Sequence, residues 1–106
     1  MTVQGRQERI RAIAERLRRE YHAQSVILFG SVSRGEASVD SDTDLLVVAP
    51  THERFLERSA TVLGLVRDLY SGLALAPIVL TPDEVRQRLD RGDPFVTDVL
   101  ETGVKL

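Results

Sequence analysis

The chain has 106 residues, a formal net charge of −2, 42% hydrophobic and 28% charged residues, and no cysteine. Those figures suit one soluble domain over residues 1–106 and exclude disorder, disulfides and thiolate metal sites. The longest apolar runs fall far short of the roughly 18 residues of a membrane span, and the charge balance speaks against a general nucleic-acid binder.

Residues 6–21 read as an amphipathic helix, with Ile10, Ile13, Leu17 and Tyr21 at spacings of 3, 4 and 4. Val26–Phe29 is an apolar run of strand length stopped by Gly30, and Ser31–Ser41 is a polar loop. Leu45–Val48 is a second buried strand ended by Ala49-Pro50. Residues 52–71 read as a long helix whose apolar side carries Phe55, Leu56, Leu63, Val66, Leu69 and Tyr70. Leu73–Leu80 is a third strand with Pro77 inside it. Thr81, Pro82 and Glu84 spell a helix start with a capping box, and the helix runs over 82–90. Asp93-Pro94 opens a last helix, with Phe95, Val96, Val99 and Leu100 inward and Gly103 at its end. The order is α-β-loop-β-α-β-α-α, an α/β (α+β) sandwich with a small mixed sheet flanked by helices. The short link makes the first two strands antiparallel neighbours, and the intervening helix makes the second and third parallel.

The chemistry gathers in residues 28–48. A buried strand ends on Gly30-Ser31, and after ten intervening residues Asp42 and Asp44 open the next strand. Residues two apart on a strand share a face, so the two acids stand about 6.6 Å apart at the backbone. Carboxylates converging to about 5 Å repel by on the order of 3 kcal/mol at an effective dielectric near 20. A divalent cation such as Mg²⁺, held by carboxylate oxygens together with substrate phosphates, relieves that repulsion. Gly30 lets a phosphate approach the backbone, Ser31 offers an N–H and a hydroxyl, and Arg34 offers a fork of donors. Glycine-serine alone or D-x-D alone is a weak signal; their spacing between two strands is specific. Metal and phosphates together describe a nucleoside triphosphate site built for attack at phosphorus.

Gly30-Ser31, Arg34-Gly35 and Ser41-Asp42-x-Asp44-Leu45 closely resemble the DNA polymerase beta-like nucleotidyltransferase superfamily, specifically its minimal nucleotidyltransferases. The resemblance covers nearly the whole chain, including IVLTPDE and the tail DPFVTDVLETGVKL. It implies the nucleotidyltransferase fold and transfer of a nucleoside monophosphate from ATP or another NTP, with release of pyrophosphate. It assigns the terminal phosphates to Gly30 and Ser31, Mg²⁺ and catalysis to Asp42 and Asp44, and the phosphate tail to Arg34. Many minimal members are encoded beside a small helical HEPN-domain toxin and act as its antitoxin, by binding it or by attaching AMP to it. The resemblance therefore implies a protein hydroxyl as acceptor; a homo- or hetero-oligomer stays open, and the lack of cysteine and of membrane-length apolar runs makes a cytoplasmic setting the default.

One departure stands out. The superfamily usually carries a third acid on the strand equivalent to Leu73–Leu80, where it completes a second metal site and can act as base. Here the candidate positions are Ala76 and Pro77, which can do neither. The nearest alternatives are Asp68, Asp83 and Glu84, the last two of which already serve a helix start. One nucleotide-bound ion is expected. The competing reading is a weakly active or inactive chain that acts as an antitoxin or regulator by binding its partner. His22 and His52 read as capping or solvated residues, and Arg16, Arg18 and Arg19 as a solvated helix face open to an acidic partner or RNA.

Overall fold

The computed structural model describes residues 3–30 and 42–106. In chain order it holds α1 (Val3–Glu20), β1 (Ser25–Phe29), β2 (Asp42–Val48), α2 (Phe55–Leu65), β3 (Ala74–Leu80), α3 (Pro82–Asp90), α4 (Pro94–Thr102) and β4 (Val104–Lys105). The strands form one sheet in the order β3-β2-β1-β4. β1 runs antiparallel to β2 and to β4, and β2 runs parallel to β3. The expected mixed sheet and the parallel crossover through a helix are both present.

Strand alternation sorts the side chains into two layers. On one face Leu28, Leu45, Val47 and Val79 pack against Ile10, Ile13 and Leu17 of α1 and Val62 of α2. On the other, Ile27, Leu46, Val48 and Leu80 pack against Val96 and Val99 of α4, with Val85 of α3 alongside. The two central strands are apolar on both sides because helices cover both sides. Pro77 is tolerated because β3 is a sheet edge, where one row of backbone groups has no ladder to join.

Local signals set the ends of the elements. Thr81 Oγ accepts from Glu84 N–H, and Glu84 Oε1 accepts from Thr81 N–H at 2.8 Å, so the expected capping box is complete. Asp93 caps α4 by accepting from Phe95 and Val96 N–H. Just past the end of α1, His22 adopts φ 58 while Ala23 N–H reaches back to Leu17 O. His22 is thus the left-handed cap of a helix C-terminus.

Three readings of the sequence change. The second helix spans Phe55–Leu65 rather than 52–71, and residues 66–69 continue only as turns. Its buried side is Arg58, Val62 and Val66, whereas Phe55 is 46% and Leu56 85% exposed. The rotation has a polar cause: Arg58 takes the inward position at the first turn. Its guanidinium donates to Glu84 Oε1 at 2.6 Å and to Val79 O at 3.2 Å, and Nε donates to Glu53 O at 3.0 Å. Third, the tail adds β4, which pairs Val104 with Leu28 and Lys105 with Ile27. Gly103 makes that pairing possible, since a Cβ there would sit 2.5 Å from both Ile27 Cγ2 and Val99 O.

Candidate active site

β2 carries Asp42 and Asp44 at its N-terminal end, on the sheet face it shares with Leu46 and Val48. Asp42 is exposed, and Asp44 is partly buried. The register places Phe29 of β1 on one side of Asp44 and Ala76 of β3 on the other. Phe29 in turn meets Phe95 of α4 edge-on, with ring centroids 5.5 Å apart. Asp44 therefore lies in a cross-strand row whose other two members are apolar. Burial raises its carboxyl above the ordinary carboxylate range, and the charge of Asp42 raises it further.

Gly30 closes the arrangement. It ends β1 with φ 77, a conformation L side chains rarely adopt. A Cβ at this position would overlap Asp44 Oδ2 and lie 3.4 Å from its Cγ. The Asp44 carboxylate thus rests against Gly30 at the end of β1. The structure brings together three of the five candidate residues: Gly30, Asp42 and Asp44. Ser31 and Arg34 lie outside the described residues, as does the loop reading for Ser31–Ser41.

Among the described residues, no ion pair includes Asp42 or Asp44, and no group of three or more potential metal-ligating side chains occurs. Two adjacent carboxylates, one of them disfavoured as an anion by its surroundings, are hard oxygen donors suited to Mg²⁺. The remaining coordination positions would fall to water and to substrate oxygens.

The alternatives to a third acid are occupied elsewhere. The Asp68 carboxylate accepts from both terminal nitrogens of Arg16, at 2.8 and 3.1 Å, on the α1–α2 side of the sheet. Glu84 pairs with Arg58, and Asp83 pairs with Arg86. Asp83 and Glu84 also follow the far end of β3, whose last residue, Leu80, lies about 13 Å along the strand from Ala76. Of the two positions read from the sequence, Ala76 is the one beside Asp44; Pro77 pairs with Leu45 and faces the opposite layer. Phe29 was not singled out from sequence, although its position immediately before Gly30 marked the strand end nearest the acids.

The basic face of α1 is partly spoken for. Arg16 ties α1 to the end of α2, Arg18 donates to Leu106 O, and Arg19 is exposed. Among the described residues, a cavity of about 470 Å³ lies between Pro50–His52 and Thr81–Asp83 at the other end of the β2–β3 pair. No described helix is long and apolar enough to cross a membrane.

The family model for the nucleotidyltransferase domain matches residues 10–106. This chain belongs to the nucleotidyltransferase-domain family. The match includes every candidate residue named above and all four strands of the domain. Membership places the nucleotidyltransferase domain in the transferase class, with a nucleoside triphosphate as substrate. Among solved structures, BolA1 from Arabidopsis thaliana is similar at a TM-score of 0.57 and 24% identity, over 72% of this chain and 94% of that one. That likeness concerns the fold alone. No curated protein matched the chain.

Proposed function

We propose that this domain transfers a nucleoside monophosphate, with ATP as the favoured donor, to a hydroxyl of a partner protein, and that Asp42 and Asp44 hold the required Mg²⁺. The observation that carries the proposal is the placement of the Asp44 carboxylate against Gly30, with Asp42 two residues away on the same strand face. Gly30 and one member of the acid pair, fourteen residues apart in the sequence, come into contact.

In this reading the main chain at Gly30 and Ser31 seats the terminal phosphates, and Arg34 binds the phosphate tail through its fork. Asp42 and Asp44 are the protein's ligands to the ion. When bound between them, such an ion would supply charge neutralisation and Lewis-acid polarisation of the phosphate under attack. The acceptor oxygen forms a bond to the α-phosphorus while the bond to pyrophosphate breaks, and the acceptor proton passes to solvent or to a group on the partner. Ala76 cannot take that proton, so the domain itself offers no base at the position beside Asp44. A cytoplasmic antitoxin paired with a small helical HEPN-domain toxin is the setting the sequence resemblance favours.

Incubation of the purified domain with labelled ATP, Mg²⁺ and the product of the adjacent gene tests the proposal. Label on the partner supports it; a stable complex that stays unlabelled counts against it. Ala76 favours a second reading, in which the domain neutralises its partner by contact without chemistry. Asp42→Asn combined with Asp44→Asn separates the two. Protection that survives the double substitution favours contact, and protection that vanishes while the complex still forms favours transfer.

A further inference from the structure

We infer that Gly30 is a positioning residue for Asp44: its bare Cα is the space into which the Asp44 carboxylate folds. The inference rests on Asp44 being a metal ligand, and it assigns Gly30 a task beyond admitting phosphate to the backbone. Phe29 pairs directly with Asp44, so Gly30 lies one step farther along β1, at the strand end. From its place in β2, the Asp44 side chain leans across to that end. Oδ2 occupies the volume a Cβ of residue 30 would fill, and Cγ and Cβ of Asp44 lie 3.4 and 3.7 Å from that position. The 3.7 Å contact is ordinary packing, so the conflict belongs to the carboxylate group alone. Any side chain at residue 30 pushes the carboxylate off this position. The side chains of its other neighbours in the row, Phe29 and Ala76, carry no hydrogen-bonding group that would hold it.

Gly30 therefore answers two separate demands. One is its φ of 77, which Asn tolerates better than Ala. The other is the missing Cβ, which Asn and Ala violate equally. Gly30→Asn and Gly30→Ala are made in the full chain, each also in an Asp44→Ala background. Folding equilibria come from urea titration, and ion affinity from Mn²⁺ titration followed by paramagnetic resonance. Both substitutions are expected to weaken Mn²⁺ binding at least tenfold in the parent, and neither to weaken it further once Asp44 is Ala. The folding penalty of each is expected to be at least tenfold smaller in the Asp44→Ala background, where the Cβ has room. Gly30→Asn with parental Mn²⁺ affinity, or equal folding penalties in both backgrounds, overturns the inference. If the parent binds no Mn²⁺, the metal reading falls, and the folding cycle alone still decides whether Gly30 makes room for Asp44.

Discussion

Asp44 and Ala76 are lateral neighbours in the parallel β2–β3 pair, and their side chains share one face of the sheet. Adjacent strands lie about 4.8 Å apart, so a carboxylate at residue 76 would stand beside the acid pair. Ala76→Asp is expected to raise Mn²⁺ stoichiometry in the presence of nucleotide from one ion to two. It is also expected to raise nucleotidyl transfer by about a hundredfold, the low end of what a positioned base contributes. Stoichiometry that stays at one ion refutes this use of the Ala76 position.

The Asp44 carboxyl is raised first by burial and then by the Asp42 charge. A raised folded-state value means that this group favours folding below its ordinary range and that the benefit is lost as pH climbs through the raised value. At neutral pH without metal, the Asp44 charge is thus a burden on the fold. Asp44→Asn is expected to melt above the parent at pH 7 in chelator, with the gap narrowing toward pH 4. Added Mg²⁺ should stabilise the parent and leave the variant unmoved. Thermal melts at the two pH values check both statements.

Arg58 joins α2, α3 and the edge strand through Glu84 and the Val79 carbonyl. Removing its side chain leaves Glu84 without its cation and Val79 O without its donor. Arg58→Ala is expected to cost about 2–3 kcal/mol, less than a fully buried pair because Glu84 remains partly exposed. The hydrogen bond from Arg58 holds the Glu84 carboxyl below its ordinary value. Its contribution is present above the ordinary carboxylate range and lost as pH falls through the lowered value. Urea titrations from pH 7 down to pH 3 should show a shallower acid loss in Arg58→Ala than in the parent.

Much of this was legible from residue order because the signals were local. Thr81, Pro82 and Glu84 define a helix start through chemistry within four residues, and the capping box formed as read. The glycine-serine and D-x-D spacing pointed to Asp44, whose carboxylate the structure places against Gly30. What was not legible depended on contacts distant in sequence. Phe55 and Leu56 look like core residues by periodicity, yet Arg58 takes the inward position because Glu84 and Val79, over 20 residues away, provide its partners. β4 was hidden because two exposed residues carry no alternation; its position follows from the fit of Gly103 against Ile27. The choice between Ala76 and Pro77 needed the β2–β3 register, which a helical crossover of any length leaves open.

The Thr81 cap gives a smaller expected effect. Thr81→Ala removes the side-chain acceptor for Glu84 N–H and should cost about 1 kcal/mol. Thr81→Ser should restore most of it, since Ser offers the same acceptor. Urea midpoints of the two variants check the difference.

Calorimetric titration with a non-hydrolysable ATP analogue, with and without Mg²⁺, bears most directly on the role of the two acids. The parent should bind the analogue in an Mg²⁺-dependent manner, and Asp42→Asn with Asp44→Asn should weaken that binding at least tenfold. Equal affinity in parent and double variant, or affinity indifferent to Mg²⁺, would contradict the account.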